Sequence, residues 1–288
     1  VNNDTAKTKV SICGCGWLGL PLAAHLVSLG YEVWGSRRSL NDAQPLEDKG
    51  IRAIELTLPA GLRGNEQLEA FLATDVMVVN IPPGRHSGAA AQFRSNVEEL
   101  LKSAKLAGCK RVVFVSTTAV YGAVQGQVTE VVQPEPETES AQAHAWLEQY
   151  LQDNWQDDAV VLRLGGLIGP GRHPVRYLAG RKGIESGHTK VNLIHLDDCI
   201  QAISQIIGHW PAEHVLHLAA PSHPTRVEYY TKMAELAALP FPEFVTGEDK
   251  VDDSKWIDAS ATCRLLGLDL RYPDLMAVEP ELANRDGE

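Results

Sequence analysis

Short apolar runs alternate along this chain with stretches in which apolar residues recur every three or four positions. Lys9 to Cys13 (KVSIC) reads as a buried strand running into Gly14-Cys15-Gly16-Trp17-Leu18-Gly19, followed by a helical pattern through Leu29 that Gly30 closes. The alternation continues with a strand at Tyr31 to Gly35, a helix near Asn41 to Lys49, and a strand at Ile51 to Leu56. A helix near Glu66 to Leu72 and a strand at Asp75 to Ile81 come next. A long helix over Ala89 to Ala107 precedes the almost wholly apolar run Arg111 to Ser116 (RVVFVS). Strands buried on both faces read as continuous apolar runs, so this order predicts an α/β fold with a doubly wound parallel sheet.

The segment from Tyr121 to Thr138 is rich in Gly, Pro, Gln and Glu and breaks the rhythm. A helix is expected from Glu139 to Asn154, then a strand at Ala159 to Leu164. Past Gly165 the character changes, with the loop GGLIGPGRHP and shorter elements, including helical patterns at Leu196 to Gly208 and Arg226 to Ala237. The expected division is a nucleotide-binding domain over residues 1–165, with 166–288 forming a small lobe interleaved with the last strands and helices of the sheet.

Composition narrows the range of functions. A hydrophobic share of 44% and a charged share of 22% suit a globular protein with a sizeable core. The net charge of -11 argues against nucleic acid or an anionic membrane as partner. Apolar runs fall short of the roughly 18–20 residues of a membrane span, and the polar start lacks the apolar core of a secretory signal. A cytoplasmic protein is expected. Its five cysteines are scattered without a CxxC pair, so neither disulfides nor a metal site are expected.

Gly14-x-Gly16-x-x-Gly19 lies between a predicted strand and a predicted helix, where the pattern has a physical use. The first glycine permits a tight turn, the second lets a pyrophosphate approach the backbone, and the third lets helix and strand pack closely. The helix start then offers unpaired N–H groups to the phosphates. Domains that take NAD place an acid about 20 residues further on, to hold the ribose hydroxyls. Here the stretch reads Ser36-Arg37-Arg38-Ser39, and paired guanidiniums suit the 2′-phosphate of NADP. NADP is therefore expected, with NAD as the alternative.

Three further segments carry a resemblance. They are Ser116-Thr117-Thr118-Ala119-Val120-Tyr121-Gly122, the run from Val161 to Arg172 (VLRLGGLIGPGR), and Asn192 to Asp198 (NLIHLDD). With the glycine turn, and over about Lys9 to Tyr272, the chain resembles the extended short-chain dehydrogenase/reductase family, the nucleotide-sugar epimerases and dehydratases with a Rossmann domain. The GxGxxG spacing departs from that family's usual GxxGxxG, marking an atypical member. Taken alone, Gly16 to Leu22 also resembles UDP-glucose dehydrogenases, but the later segments do not fit them.

The resemblance assigns roles. Gly14, Cys15, Gly16, Trp17, Leu18 and Gly19 would hold the pyrophosphate, and Ser36, Arg37, Arg38 and Glu55 the adenosine half. Ile81, Pro82, Ser116 and Leu167 would also lie against the cofactor. Thr117, four residues before Tyr121, would position the substrate. The family's acid/base is the Tyr of a YxxxK motif with a Glu four residues after the Lys. With Glu148 as that marker, Ser140 stands in the Tyr position and His144 in the Lys position. A serine hydroxyl is a far weaker acid than a tyrosine, whereas an imidazole with a pKa near ~6.5 can exchange protons. Arg85, Tyr121, Arg172 and Arg176 are the candidate contacts for an anionic substrate, a sugar nucleotide in the family. Two functions follow: an NAD(P)-dependent oxidoreductase or epimerase-like enzyme on a nucleotide-linked or phosphorylated sugar, or a non-catalytic NADP-binding redox-sensing or regulatory protein. His195 ahead of Asp197 and Asp198 reads as structural, with acids at the positive end of a helix.

Overall fold

The computed structural model describes residues 7–39, 44–59, 66–245 and 254–283. Its strands are β1 Lys9–Cys13, β2 Glu32–Arg37, β3 Arg52–Glu55, β4 Val76–Val79, β5 Arg111–Thr117, β6 Gln127–Val128, β7 Ala159–Leu164, β8 Gly166–Ile168, β9 Leu193–His195, β10 Val215–Leu218 and β11 Trp256–Ile257. The α-helices are α1 Gly19–Ser28, α2 Gln44–Glu47, α3 Glu66–Leu72, α4 Ala89–Leu106, α5 Glu139–Trp155, α6 Val175–Leu178, α7 Leu196–Gly208, α8 Arg226–Leu236 and α9 Ser260–Leu266.

Seven strands form one sheet in the order β10-β7-β5-β4-β1-β2-β3. The pairs β1–β2, β1–β4, β2–β3 and β4–β5 are parallel, as expected for a doubly wound α/β fold. β4 and β7 are buried at every position, which explains their unbroken apolar character. From β1 the chain proceeds outward through β2 and β3, then returns to β4 on the other side of β1. The sheet's direction of growth therefore reverses between β1 and β4, where open α/β sheets bind ligands at the carboxyl ends of their strands.

The chain divides into two compact units. The first comprises Val1–Ser116, Thr138–Leu162 and Ile203–Val215; the second comprises Thr117–Glu137, Arg163–Ala202 and Leu216–Glu288. In the first unit, α4 turns Phe93, Val97, Leu100, Leu101 and Ala104 inward at helical spacing, against Leu147, Leu151 and Trp155 of α5. The Thr138 side chain caps α5 by accepting from Ala141 N at 3.1 Å. The second unit has its own core around Ile168, Val175, Leu193, Tyr229, Tyr230 and Met233. There α8 starts on a reciprocal capping box between Thr225 and Glu228.

Sequence patterning misses the smallest elements. Gln127–Val128 and Trp256–Ile257 pair in parallel although their paired residues lie 129 apart in sequence, and each strand is too short to show a period. β8–β9 and α6 are missed for the same reason. The beginning of the helix expected near Asn41, residues 41–43, lies outside the described residues; α2 occupies Gln44–Glu47. Among the described residues no helix is long and apolar enough to cross a membrane.

Candidate functional site

The glycine turn leaves β1 where the sheet reverses. Gly14 has φ +100°, and a Cβ there would stand 2.5 Å from the Asn80 carbonyl oxygen, which follows β4. A Cβ on Gly19 would stand 2.2 Å from the Gly14 oxygen. Both positions are thus closed by backbone, and only glycine fits. Gly16 is different: it is exposed, and a Cβ there would meet nothing within 4 Å. The turn leaves open the one glycine over which a phosphate would approach, and closes the two that shape it.

Neighbours brace this turn. Gly14 N donates to Ser36 Oγ at 3.0 Å, Cys15 N to the Ser36 carbonyl at 3.0 Å, and Asn80 Nδ2 to the Gly14 carbonyl at 3.2 Å. Ser36 was expected against the cofactor. It is 4% exposed, and its hydroxyl is spent on the turn, so it acts as a brace. Asn80 has the same role and sequence reasoning missed it, although it directly precedes Ile81 and Pro82, both expected against the cofactor. Cys15 and Leu18 are buried, so any contact they make with a dinucleotide is through backbone. Burial pushes the thiols of Cys13 and Cys15 up to about 12, which leaves them protonated and unreactive.

Arg37 ends β2, in register with Glu55 at the end of β3. Its Nε is buried and, among the described residues, has no hydrogen-bond partner. Arg38 is exposed, as are Glu55 and Pro82, whereas Trp17 and Ile81 are half-buried. A buried guanidinium nitrogen without an acceptor is costly, but with no exposed surface it is out of a ligand's reach, and the exposed Arg38 is the guanidinium open to an anion. Open backbone at Gly16, with arginines at the end of β2, fits a dinucleotide.

On α5, Glu148 is 4% exposed and accepts from Ser116 Oγ at 2.5 Å, tying the helix to the end of β5. One turn earlier His144 is 6% exposed. Its ring lies 4.9 Å from that of Phe93 and 5.9 Å from that of Phe114. Nδ1–H donates to the Ser140 carbonyl at 2.8 Å, which leaves Nε2 as the acceptor nitrogen. Burial lowers the pKa of His144, so the ring is neutral at physiological pH. The ring offered as a possible acid/base is buried against two phenylalanines. The half-buried Ser140 meets His144 through its backbone carbonyl.

In the second unit Thr117 is half-buried, and its Oγ1 accepts from Ala119 N at 3.1 Å. The hydroxyl proton is then available to an incoming oxygen. Tyr121 corrects an expectation: it was read as a substrate contact, but it is 0% exposed. Its hydroxyl accepts from Arg163 at 3.0 Å and bonds His217 Nδ1 at 3.0 Å. The other ring nitrogen of His217 donates to the Asp258 carbonyl at 2.8 Å. Tyr121 is therefore a buried anchor for the segment that carries Thr117.

Arg85 and Arg176 are exposed, with no side-chain hydrogen bond or ion pair among the described residues, and Lys182 pairs with Glu243 at 2.8 Å. Arg172 is exposed, and its backbone pairs with Gly169. Leu167 of β8 is half-buried. His195 is 0% exposed, lies against Tyr272 with tilted rings whose centroids are 3.7 Å apart, and accepts from Asp197 N at 3.2 Å.

Comparison with known proteins completes the description. Over 275 residues, 95% of this chain and 99% of the relative, the sequence is 36% identical to Protein YeeZ of Escherichia coli strain K12. The fold is similar to that of a UDP-glucuronic acid 4-epimerase from Bacillus cereus solved with NAD, at TM-score 0.75 and 19% identity, covering 97% of this chain and 96% of that one. It is similar also to a UDP-glucose-4-epimerase from Stenotrophomonas maltophila with bound NAD and a formylated UDP-arabinopyranose, at TM-score 0.74 and 19% identity, covering 93% and 95%. Residues 12–219 match the model of the NAD dependent epimerase/dehydratase family, and the chain belongs to that family.

Proposed function

We propose that this protein is an NADP-dependent oxidoreductase or epimerase-like enzyme acting on a nucleotide-linked or phosphorylated sugar. The observation that carries the reading is the turn at Gly14 to Gly19, closed by backbone at two glycines and open at the third, with Arg37 ending β2 and the exposed Arg38 next to it. Gly16 and the first turn of α1 would take the pyrophosphate, and Arg37 and Arg38 the 2′-phosphate. When bound, the nicotinamide would accept or return a hydride. Thr117 would then orient a substrate hydroxyl or carbonyl through its spare proton. His144, held as the Nδ1–H tautomer, would offer Nε2 as proton acceptor in place of the family's tyrosine.

The packing of His144 between Phe93 and Phe114 favours a second reading, a non-catalytic NADP-binding redox-sensing or regulatory protein. Turnover separates the two. Under the first reading, NADP+ incubated with the protein and a panel of UDP-sugars gives either a change in nicotinamide absorbance or an epimerised product. Tight NADPH binding with neither result leaves the second. Cofactor choice is read by titrating NADPH and NADH at fixed salt. One charged hydrogen bond contributes about 1.5–3 kcal/mol, so NADPH should bind roughly 10–100-fold more tightly than NADH. Replacing Arg37 and Arg38 together by alanine should remove that preference and leave NADH unchanged. Equal affinities for both nucleotides in the unaltered protein would reject NADP and leave NAD as the cofactor.

A further inference from the structure

The helix assigned to proton transfer, α5, contains no Lys or Arg, and its one imidazole is neutral. The second unit carries a cation in an unusual setting. Lys255, immediately before β11, is half-buried, and its Nζ donates to the Gly122 carbonyl at 2.6 Å. Gly122 follows the buried Tyr121 and lies five residues beyond Thr117.

Both ends of this contact are fixed. Asn192 spans the Lys255 backbone, with Nδ2 donating to the Lys255 carbonyl at 3.0 Å and Oδ1 accepting from Ile257 N at 2.8 Å. Trp256 N donates to the Gly126 carbonyl at 2.9 Å. On the other side, Gly122 has φ +55°, and a Cβ there would stand 2.0 Å from the Glu135 oxygen. Tyr121, next to it, is held by Arg163 and His217.

An ammonium has three donors. Among the described residues, Gly122 is the one hydrogen-bond acceptor that Lys255 meets. Burial lowers the affinity of the amine for its proton, an effect that the Glu137 charge partly offsets. Holding a lysine in this state costs stability, because a fully solvated ammonium would be freer and better hydrated. Such a cost is accepted where a ligand completes the hydrogen bonding.

We propose that Lys255 is a ligand-binding cation whose remaining N–H groups take an oxyanion of the substrate beside Gly122. Within the sugar-nucleotide reading on which this rests, the oxyanion is either the carboxylate of an acidic sugar or the diphosphate of the nucleotide.

Calorimetric titration of the NADP-loaded protein with UDP-glucuronic acid and with UDP-glucose tests the assignment in the unaltered chain, in Lys255→Met and in Lys255→Arg. A lost charged hydrogen bond weakens binding by about 10–100-fold. Loss confined to UDP-glucuronic acid in Lys255→Met assigns the carboxylate, and equal loss for both ligands assigns the diphosphate. In either case Lys255→Arg recovers most of the affinity. NADPH affinity stays within about twofold throughout, which a merely unfolded variant would not permit. If Lys255→Met binds both ligands like the unaltered protein, the assignment is overturned while the sugar-nucleotide reading stands. If the unaltered protein binds neither ligand, that reading fails, and the Lys255 assignment falls with it.

Discussion

Acid should loosen the second unit through His173. This ring is 2% exposed; Nδ1 accepts from Val175 N at 3.2 Å, so Nε2 carries the proton and donates to the Tyr229 hydroxyl at 2.9 Å. Protonating Nδ1 would set two N–H groups against each other. Burial lowers the pKa of His173 to about 4, from an ordinary value near 6.5. Because the folded value is the lower one, the stabilisation is complete above the unfolded pKa and is lost as pH falls toward 4. The gap of about 2.5 units corresponds to roughly 3 kcal/mol in total, of which about 2 kcal/mol is already lost near pH 5. Urea unfolding at about pH 7.5 and about pH 5 measures this. His173→Asn keeps an acceptor for Val175 N and removes the titrating ring. It should start less stable at neutral pH, yet lose about 2 kcal/mol less than the unaltered chain on acidification. Equal losses in the two proteins would refute the reasoning, because the remaining buried histidines are common to both.

Two other expectations follow from the geometry. Gly16→Ala should leave the melting temperature nearly unchanged but weaken NADPH binding about tenfold, because its methyl group meets no protein atom and occupies the phosphate approach; Gly19→Ala should lose both stability and binding, because its methyl group meets the Gly14 carbonyl. Thermal melting together with NADPH titration checks both variants. Tyr121→Phe should cost about 1–3 kcal/mol in urea unfolding, by leaving the buried Arg163 donor and His217 Nδ1 without the hydroxyl that joins them.

The sheet was legible because its strands are long enough to show a period and are buried on both faces, as with VMVV in β4 and RVVFVS in β5. Burial, by contrast, is set by partners distant in sequence. Tyr121 stands in a motif that points to substrate, yet Arg163 and His217, 42 and 96 residues away, convert it into an anchor. Ser36 was read as a cofactor contact because it adjoins the two arginines; Gly14, 22 residues back, claims its hydroxyl. Lys255 drew no attention in a segment without motif or period, and its meaning comes from Gly122, 133 residues earlier. Local pattern shows what a segment can form, whereas side-chain partners depend on which loops the sheet brings together.

The path of the chain through its two units has a consequence for inheritance. Each unit is assembled from three separate stretches, with the chain passing between units after Ser116, Glu137, Leu162, Ala202 and Val215. A single genetic crossover at any of these points would leave at least one unit built from stretches of two different parents. The two units therefore cannot be traded between relatives as modules, in the way that domains strung end to end can be. Change must arrive residue by residue, and an altered helix such as α5 has to be accommodated in place, by substitutions elsewhere in the same chain.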